Sequence, residues 1–346
     1  MARSVVSLAA TISRAVSCGL DGLREVTKDD RSPVTIGDFA IQALVIQLLR
    51  DALGDVVVVA EEHAALLRQP DHRLHLEAGL ALLEHVWPGV TAESMLASID
   101  RGARDAFDAA TGSAVGRSAR REFWTLDPID GTKGFLRHQQ YCTALALISE
   151  GRPVLGVLGC PHLSEDLTRP VDQPDPVGTM FFAVEHEGAF VAPLGVGQEL
   201  GRPLRRRAVD LSQPVRVCES YEKSHSAENV GERVVRASGL DRHPSIQLDS
   251  QCKYAVVARG QADAYLRVTG TPDYRERIWD HAAGSLIASE AGCTVSDIHG
   301  RPLRFLGGRD LVDNFGIVVA PSALHARLLK GCEAFVEPEP GVESSP

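Results

Sequence analysis

Two aspartates at the end of an apolar segment are the side chains of this sequence best placed for chemistry. Asp127 and Asp130 follow the β-prone run 123–126, and Pro128 between them excludes a helix at this point. We therefore predict that a buried strand breaks into a loop here. Residues 131–134 read Gly-Thr-Lys-Gly and could turn their N–H groups toward an anion. Two carboxylates beside such a turn predict Mg²⁺ held against a phosphoryl group, although an ordinary turn uses the same residue types.

Two further acidic positions lie at the boundaries of predicted elements. Apolar residues recur at helical spacing through 41–49, and Asp38 falls in the first turn of this helix, where the helix dipole favours a carboxylate. The predicted strand 56–60 then places Glu61 and Glu62 at its end, where α/β enzymes bind ligands. Each of these positions also suits an ordinary helix-start or surface acid.

A third acidic position opens a predicted amphipathic helix near the carboxyl end of the chain. Asp280 stands at its start, and Gly292 is predicted to end it as a C-cap. A metal ion and a phosphate at Asp280 would therefore meet the positive end of a helix. We interpret the next residue, His281, as a histidine whose hydrogen bonds are satisfied at the helix start.

These segments resemble the lithium-sensitive, Mg²⁺-dependent phosphatase superfamily that includes inositol monophosphatases and fructose-1,6-bisphosphatases. The resemblance runs from about Ser4 to about Leu329, with Ala60 in place of the usual Gly before the glutamate pair. It implies two or three Mg²⁺ ions, with Glu61, Asp127, the Ile129 carbonyl, Asp130 and Asp280 as ligands. It also implies that Thr132 and Asp38 form a dyad that orients and deprotonates water for metal-assisted phosphomonoester hydrolysis.

Within that superfamily the sequence resembles the 3′(2′),5′-bisphosphate nucleotidases of fungi and plants. The segments that carry this resemblance are 127–137, 222–226, 248–254 and 262–267. It implies removal of the 3′-phosphate from 3′-phosphoadenosine 5′-phosphate, and from its sulfated form, in sulfate assimilation. The implied substrate-binding residues are Thr132, His225, Ser250, Lys253, Arg267 and Asp280. Lys253 and Arg267 can pair with the 5′-phosphate, while His225 and Ser250 can donate to phosphate or sugar oxygens.

Three alternatives to this function use the same residues differently. Inositol polyphosphate 1-phosphatase or inositol monophosphatase activity would need the same metal ligands with a different pocket. A catalytically inactive nucleotide sensor would not need Asp38 and Thr132. For the binding residues, Lys253 could be a solvated side chain and Arg267 could protect an edge strand.

Composition and charge limit the partners of the chain. The 346 residues are 44% hydrophobic and 24% charged, which is typical of globular proteins. A net charge of −10 argues against nonspecific nucleic-acid binding and requires local cations to attract a phosphorylated substrate. The seven cysteines include no CxxC pair, so zinc and a disulfide framework are disfavoured. We expect a cytoplasmic monomer without a membrane span, and we prefer a first helix over a transit peptide for residues 5–20.

The order of predicted elements indicates an α+β half followed by an α/β half. Residues 1–213 are predicted to hold an antiparallel meander and most metal ligands, and residues 214–346 to alternate strands with helices and bind the nucleotide. The family resemblance implies a two-domain, layered αβαβα sandwich with its site at the junction. Three local predictions complete this description: a helix over 74–86, a solvated basic linker over 202–207 and a disordered tail from about 336.

Overall fold

The computed structural model describes residues 1–19, 25–27, 33–103, 122–195, 200–221, 230–268, 274–306 and 308–333. Its helices are α1 (Ala2–Gly19), α2 (Ile36–Leu53), α3 (Arg73–Glu84), α4 (Ala92–Gly102), α5 (Thr132–Leu136), α6 (Val230–Ala237), α7 (Cys252–Ala258), α8 (Ala282–Glu290) and α9 (Ser322–Glu333). Single 3₁₀ turns form at Leu66–Arg68, Pro70–His72 and Ile278–Asp280. The predicted helix over 74–86 is α3, and the predicted tail from 336 lies outside the described residues.

The strands form two main sheets and a short two-stranded ribbon. In chain order they are β1 (Glu25–Thr27), β2 (Pro33–Thr35), β3 (Val58–Ala60), β4 (Glu122–Asp130), β5 (Cys142–Ser149), β6 (Arg152–Cys160), β7 (Thr179–Val184), β8 (Gly188–Pro193), β9 (Arg202–Leu204), β10 (Val217–Glu219), β11 (Ile246–Gln247), β12 (Ala264–Arg267), β13 (Thr294–Ser296) and β14 (Ile317–Ala320). Strands β1 and β2 pair with each other in the ribbon.

The larger sheet confirms the predicted meander. Its seven strands run in chain order from β3 to β9, and every neighbouring pair after β3 is antiparallel. A tight turn at Glu150 and Gly151, both with positive φ, joins β5 to β6. Strand β3 instead pairs parallel to β4, so the carboxyl ends of these two strands meet at one edge. That edge carries the acidic residues of both strands.

The smaller sheet has mixed pairing and the order β11-β10-β12-β14-β13. Strand β10 is parallel to both of its neighbours, whereas β14 is antiparallel to β12 and β13. Strand β12 is therefore an interior strand of this sheet. Arg267 at its end does not protect an edge, and that alternative for this residue is wrong.

Helices and sheets stack in five layers, which confirms the αβαβα arrangement. Helices α1 and α2 cover one face of the larger sheet, α7 and α8 lie between the two sheets, and α6 and α9 cover the outer face of the smaller sheet. Helix α8 is apolar along nearly its whole length because it is buried from both sides. It approaches β6 closely at Gly156, where a Cβ would lie 2.9 Å from the Ala283 carbonyl oxygen. None of the described helices combines the length and apolar content needed to cross a membrane.

The segment 202–207 is solvated at Arg202, Arg205 and Arg207, as its basic composition predicts, but it is not a simple linker. Residues Arg202–Leu204 form β9, and the Arg206 side chain is only 5% exposed. Its guanidinium donates to Asp263 Oδ1 over 2.9 Å, and Arg216 donates to the same carboxylate from Nε (3.0 Å) and Nη2 (2.9 Å). Two arginines thus hold one buried carboxylate directly before β12. Composition could not reveal this pairing because the partners lie 57 residues apart.

Candidate metal and phosphate site

The end of β4 presents its two aspartates through an irregular strand rather than through a loop. The strand continues to Asp130, and its register against β5 shifts between Asp127 and Asp130. The prediction that the strand breaks into a loop at these two aspartates is therefore wrong for Asp127, which lies within the strand, whereas Asp130 is its last residue. Pro128 cannot donate to a sheet ladder, so it occupies the irregularity, and its carbonyl accepts a hydrogen bond from Thr143 Oγ1 over 2.7 Å. The distortion lets both carboxylates reach the same edge of the sheet.

Three carboxylates converge at this edge. Asp127, Asp130 and Asp280 each offer an oxygen, and these oxygens all lie within 4.8 Å of one another. Asp280 lies in the turn Ile278–Asp280 and not in the helix itself, since α8 begins two residues later. The prediction that Asp280 opens the helix is therefore wrong, although Gly292 does end it with a positive φ. The helix cannot start earlier because His281 takes a non-helical conformation at its N-cap.

Burial and mutual repulsion make this cluster unfavourable without a cation. Burial raises the pKa of Asp127 well above its usual value, and the charges of Glu61 and Asp130 add to the effect. Burial also raises the pKa of Asp130 to about 7, against the lowering effect of Lys253. The pKa of Asp280 rises to about 7 through burial and the charge of Asp130. Asp127 Oδ1 is buried and accepts no hydrogen bond from the described residues. An orphaned oxygen among oxygen ligands fits a hard divalent cation.

Glu61 completes the acidic edge from the neighbouring strand. It directly follows β3, whose Ala60 pairs with Leu126 of β4, and its charge raises the pKa of Asp127 and Asp280. The Gln42 side chain of α2 fixes this strand end, because its amide donates to the Glu62 carbonyl (2.8 Å) and accepts from the Glu62 N–H (2.9 Å). Glu61 therefore acts on the three converging aspartates through its charge.

Asp38 and Thr132 lie near these acids, and each makes hydrogen bonds within its own segment. Asp38 Oδ2 accepts from the Thr35 N–H (2.8 Å) and hydroxyl (2.7 Å), which closes a capping box at the start of α2. The Thr132 hydroxyl donates to the Ile129 carbonyl over 3.1 Å. The charge of Asp38 contributes to the raised pKa of Asp127, so it belongs to the same electrostatic cluster. The dyad of Asp38 and Thr132 stays a prediction.

A buried lysine supplies positive charge beside the acids. Lys253 is 4% exposed, its ammonium donates to the Leu248 carbonyl over 3.3 Å, and its charge lowers the pKa of Asp130. The alternative that Lys253 is solvated is therefore wrong. Ser250 has a left-handed backbone with φ of 68° and packs against Gly131, where a Cβ would lie 3.0 Å from the Ser250 Cβ. The third predicted residue of this group, His225, lies outside the described residues.

Arg267 is held by a buried glutamate that the sequence did not single out. Its Nε donates to Glu276 over 2.6 Å, and its Nη2 donates to the Tyr274 hydroxyl over 3.0 Å. Glu276 also lies 3.2 Å from Nε2 of His281, whose Nδ1 bonds to the Tyr254 hydroxyl over 2.8 Å. Burial would raise the pKa of Glu276, but hydrogen bonding to His281 and the charge of Arg267 lower it to about 2. His281 is thus satisfied at the helix start, as predicted.

Gln251 connects Asp130 on β4 with the turn that carries Asp280, and no sequence pattern marked it. Its backbone N–H donates to Asp130 Oδ2 over 2.6 Å. Its side chain donates to the Trp279 carbonyl (2.8 Å) and accepts from the Gly284 N–H (2.9 Å). The residue is 1% exposed, so water does not substitute for these contacts. Gln251 therefore positions both Asp130 and the turn that carries Asp280.

We predict that Gln251→Met weakens Mg²⁺ binding while leaving the fold intact. Methionine fills the volume but cannot hold the Trp279 carbonyl or the Gly284 N–H, and loss of such outer contacts typically costs about 10–100-fold in metal affinity. The measurement is phosphatase rate against Mg²⁺ concentration, where the lost rate should return at high Mg²⁺. Gln261→Met is the matched control, because the side-chain amide of that glutamine donates to the Leu167 and Arg169 carbonyls of a surface loop. An unchanged Mg²⁺ dependence would remove Gln251 from the positioning role.

Comparison with known proteins shows the family of this chain. Residues 3–336 match the model of the inositol monophosphatase family, and the chain belongs to that family. A Schizosaccharomyces pombe protein named 3′(2′),5′-bisphosphate nucleotidase is 38% identical over 91% of this chain and 88% of its own length. The Emericella nidulans protein of that name is 40% identical over 88% of each chain. A probable 3′(2′),5′-bisphosphate nucleotidase 4 of Arabidopsis thaliana is 36% identical over 98% of this chain and 94% of its own.

Solved structures share the fold at lower identity. The extragenic suppressor protein suhB from Bartonella henselae aligns over 96% of both chains with a TM-score of 0.63 and 16% identity. CysQ from Bacteroides thetaiotaomicron, a bacterial member of the inositol monophosphatase family, aligns over 92% of this chain and 94% of its own with a TM-score of 0.57 and 20% identity. At these identities the alignments support the layered architecture alone.

Proposed function

We propose that this chain is a Mg²⁺-dependent phosphomonoesterase that removes the 3′-phosphate of 3′-phosphoadenosine 5′-phosphate to give AMP and phosphate. The observation that carries the proposal is the pairing of a carboxylate cluster, buried at Asp127 and half-buried at Asp130 and Asp280, with the buried cation Lys253 at one sheet edge. A doubly phosphorylated substrate needs a metal site at the reacting phosphate and fixed cations for the other phosphate. Relatives at 36–40% identity over most of the chain are named for this activity, and the family typically depends on Mg²⁺.

The residues divide into those that would hold metal and those that would hold substrate and water. Two or three Mg²⁺ ions would be held by Glu61, Asp127, the Ile129 carbonyl, Asp130 and Asp280. When bound, they supply a lowered pKa for water and charge stabilisation for the leaving 3′-oxygen. Asp38 would accept a proton through Thr132 and so orient the attacking water. Lys253 and Arg267 would hold the 5′-phosphate.

A single comparison of substrates tests this proposal. Phosphate release is measured with Mg²⁺ on 3′-phosphoadenosine 5′-phosphate, inositol 1,4-bisphosphate and inositol 1-phosphate. We expect the highest kcat/KM on the nucleotide. A preference for either inositol phosphate would transfer the proposal to that activity. Binding of the nucleotide without release from any substrate would identify a sensor.

The sulfated nucleotide 3′-phosphoadenylyl sulfate is proposed as a second substrate, because its 3′-phosphate presents the same reacting group. We further propose a cytoplasmic monomer that acts on small molecules and binds neither membranes nor nucleic acid. The net charge of −10 supports the exclusion of nucleic acid, since an acidic protein repels a polyanion.

Arg267→Ala is predicted to separate substrate binding from chemistry. A charged hydrogen bond to the 5′-phosphate contributes about 1.5–3 kcal/mol, so affinity for the bisphosphorylated nucleotide should fall by that amount. Hydrolysis of 3′-AMP, which lacks the 5′-phosphate, should change little. Isothermal titration and kcat/KM on both nucleotides provide the measurement.

The control for this variant addresses the glutamate that Arg267 also holds. Removing the arginine leaves Glu276, which is 2% exposed, without its 2.6 Å donor. Glu276→Gln keeps the arginine and removes the buried charge, so it should retain binding of the bisphosphorylated nucleotide. Equal losses on both nucleotides in Arg267→Ala, reproduced by Glu276→Gln, would show that the ion pair only maintains structure.

A further inference from the structure

Three buried cysteines meet beneath the acidic edge, although they are scattered in sequence. Cys142 and Cys160 are neighbours across β5 and β6, since the register pairs Thr143 with Gly159. Cys252 is the first residue of α7 and completes the group from the layer between the sheets. The three Sγ atoms lie within 4.8 Å of one another, and all three side chains are fully buried.

The spacing of these sulfur atoms suits a shared metal ion. Ligands at a metal–sulfur distance of about 2.3 Å lie about 3.8–4.0 Å apart around one ion. A contraction of less than about 1 Å would therefore bring all three thiols into coordination. Thiolate ligands select soft ions such as Cu⁺ and Cd²⁺, whereas carboxylates and carbonyls suit Mg²⁺. The two adjacent ligand sets differ in the ions that they prefer.

Contacts connect the thiols directly to the acidic cluster. Cys142 Sγ lies 3.7 Å from Asp130 Oδ2, and these two residues also pair across β4 and β5. Cys252 follows Gln251, whose N–H donates to the same carboxylate oxygen. The thiol of Cys142 is thus in direct contact with a carboxylate of the acidic cluster. Movement of Cys142 or Cys252 toward a shared ion would displace Asp130.

We propose that Cys142, Cys160 and Cys252 form a binding site for one soft, thiophilic metal ion, and that its occupancy inhibits the phosphatase by displacing Asp130. The ion replaces the thiol protons, which pass to the buffer, and no electron is transferred. The absence of a CxxC pair disfavoured a cysteine metal site in the sequence, but that criterion detects only ligands from one loop. Here three separate elements each supply one thiol.

Binding is tested with Cd²⁺ on the full-length, fully reduced protein in excess Mg²⁺. We expect ultraviolet thiolate-to-metal charge-transfer absorption that saturates at one Cd²⁺ per chain. Cadmium-113 NMR of the same sample should show a sulfur-ligated resonance. Cys160→Ala should lose this absorption, while Cys332→Ala, a buried cysteine outside the cluster, and Cys18→Ser, the exposed one, should keep it. Oxygen-ligated Cd²⁺ alone in the wild-type protein, or unchanged absorption in a folded Cys160→Ala, would overturn the proposal.

Inhibition is tested separately, so that failure of the phosphatase assignment does not obscure the site. Cd²⁺ should inhibit the wild-type enzyme in a way that excess Mg²⁺ does not relieve but a dithiol chelator does. Cys160→Ala should resist this inhibition because it removes one thiol ligand of the ion. It should leave the carboxylates undisturbed, since Cys142 and the neighbour of Cys252, not Cys160, make the described contacts with Asp130. Inhibition that Mg²⁺ fully relieves would place Cd²⁺ at the carboxylates. It would overturn the proposal that occupancy of the cysteine site inhibits the phosphatase. The absorption and NMR measurements need no substrate.

Discussion

Asp127→Asn should lower kcat by orders of magnitude while raising the stability of the metal-free protein. Asparagine keeps the shape but loses the charge that binds Mg²⁺. Asp127 Oδ1 is buried without a hydrogen-bond donor, and the nearby charges of Glu61 and Asp130 oppose its ionisation. The same side chain is thus needed for chemistry and unfavourable for the empty fold. Turnover at saturating Mg²⁺ and thermal unfolding in a chelator measure the two effects.

The pH dependence of stability gives this variant a second signature. A carboxyl whose folded-state pKa is raised binds its proton more tightly in the folded state, so the metal-free wild type loses stability as pH rises above about 4. Asp127→Asn should remove part of that loss, and Asp172→Asn, an exposed control, should not. Near-wild-type turnover in Asp127→Asn would contradict its assignment as a ligand. Asp130→Asn should lose turnover in the same way.

Asp263→Ala should destabilise the fold by about 3–5 kcal/mol, because it leaves buried Arg206 without its carboxylate. Burial tends to raise the pKa of Asp263, but hydrogen bonds and charge from Arg216, with the charge of Arg206, lower it below its usual range. The lowered pKa means that this stabilisation is present above about pH 4 and is lost as pH falls through the folded-state value. Denaturant unfolding at pH 7 and at acidic pH measures both.

Two companion variants separate charge pairing from simple volume loss. Asp210 is an exposed aspartate on the connection between β9 and β10, which also carries Arg206. Asp210→Ala should change stability little. The double variant Arg206→Met with Asp263→Leu should recover much of the loss, since apolar residues can replace a buried ion pair. If Asp263→Ala unfolds at the same denaturant concentration as the wild type, the pair contributes no net stability.

The local sequence pattern predicted the acidic edge because each of these acids lies beside a feature that marks the start or end of a helix or strand. The proline between Asp127 and Asp130, the helical spacing after Asp38 and the strand before Glu61 are all visible within ten residues. The local sequence pattern could not locate the residues at which helices and strands begin and end. The strand continues through Pro128 because Thr143 of the neighbouring strand accommodates its carbonyl, and that partner is 15 residues away.

Residues that act through distant partners were not predictable in this way. Gln251 and Glu276 carry no motif, and their roles arise only when α7, the 278–280 turn and β4 come together. Helix α4 was missed although Thr91 and Ser94 form a capping box at its start, a signal that the sequence did contain. The burial of Arg206 was not predictable from its basic segment because the partners of its side chain, Asp263 and the Ala262 carbonyl, lie far along the chain beyond β10.

The central layer has a consequence for how the chain can be divided. Helices α7 and α8 come from the second half of the sequence, yet they supply one wall of the core that buries Phe181 in the first sheet. We therefore expect the division predicted near residue 213 to separate the strands of the two sheets without separating independent folding units. A fragment ending there would expose an entire apolar sheet face to water and should aggregate. The intact protein should melt in one transition, with synthesis of the last third of the chain required before the first sheet becomes stable.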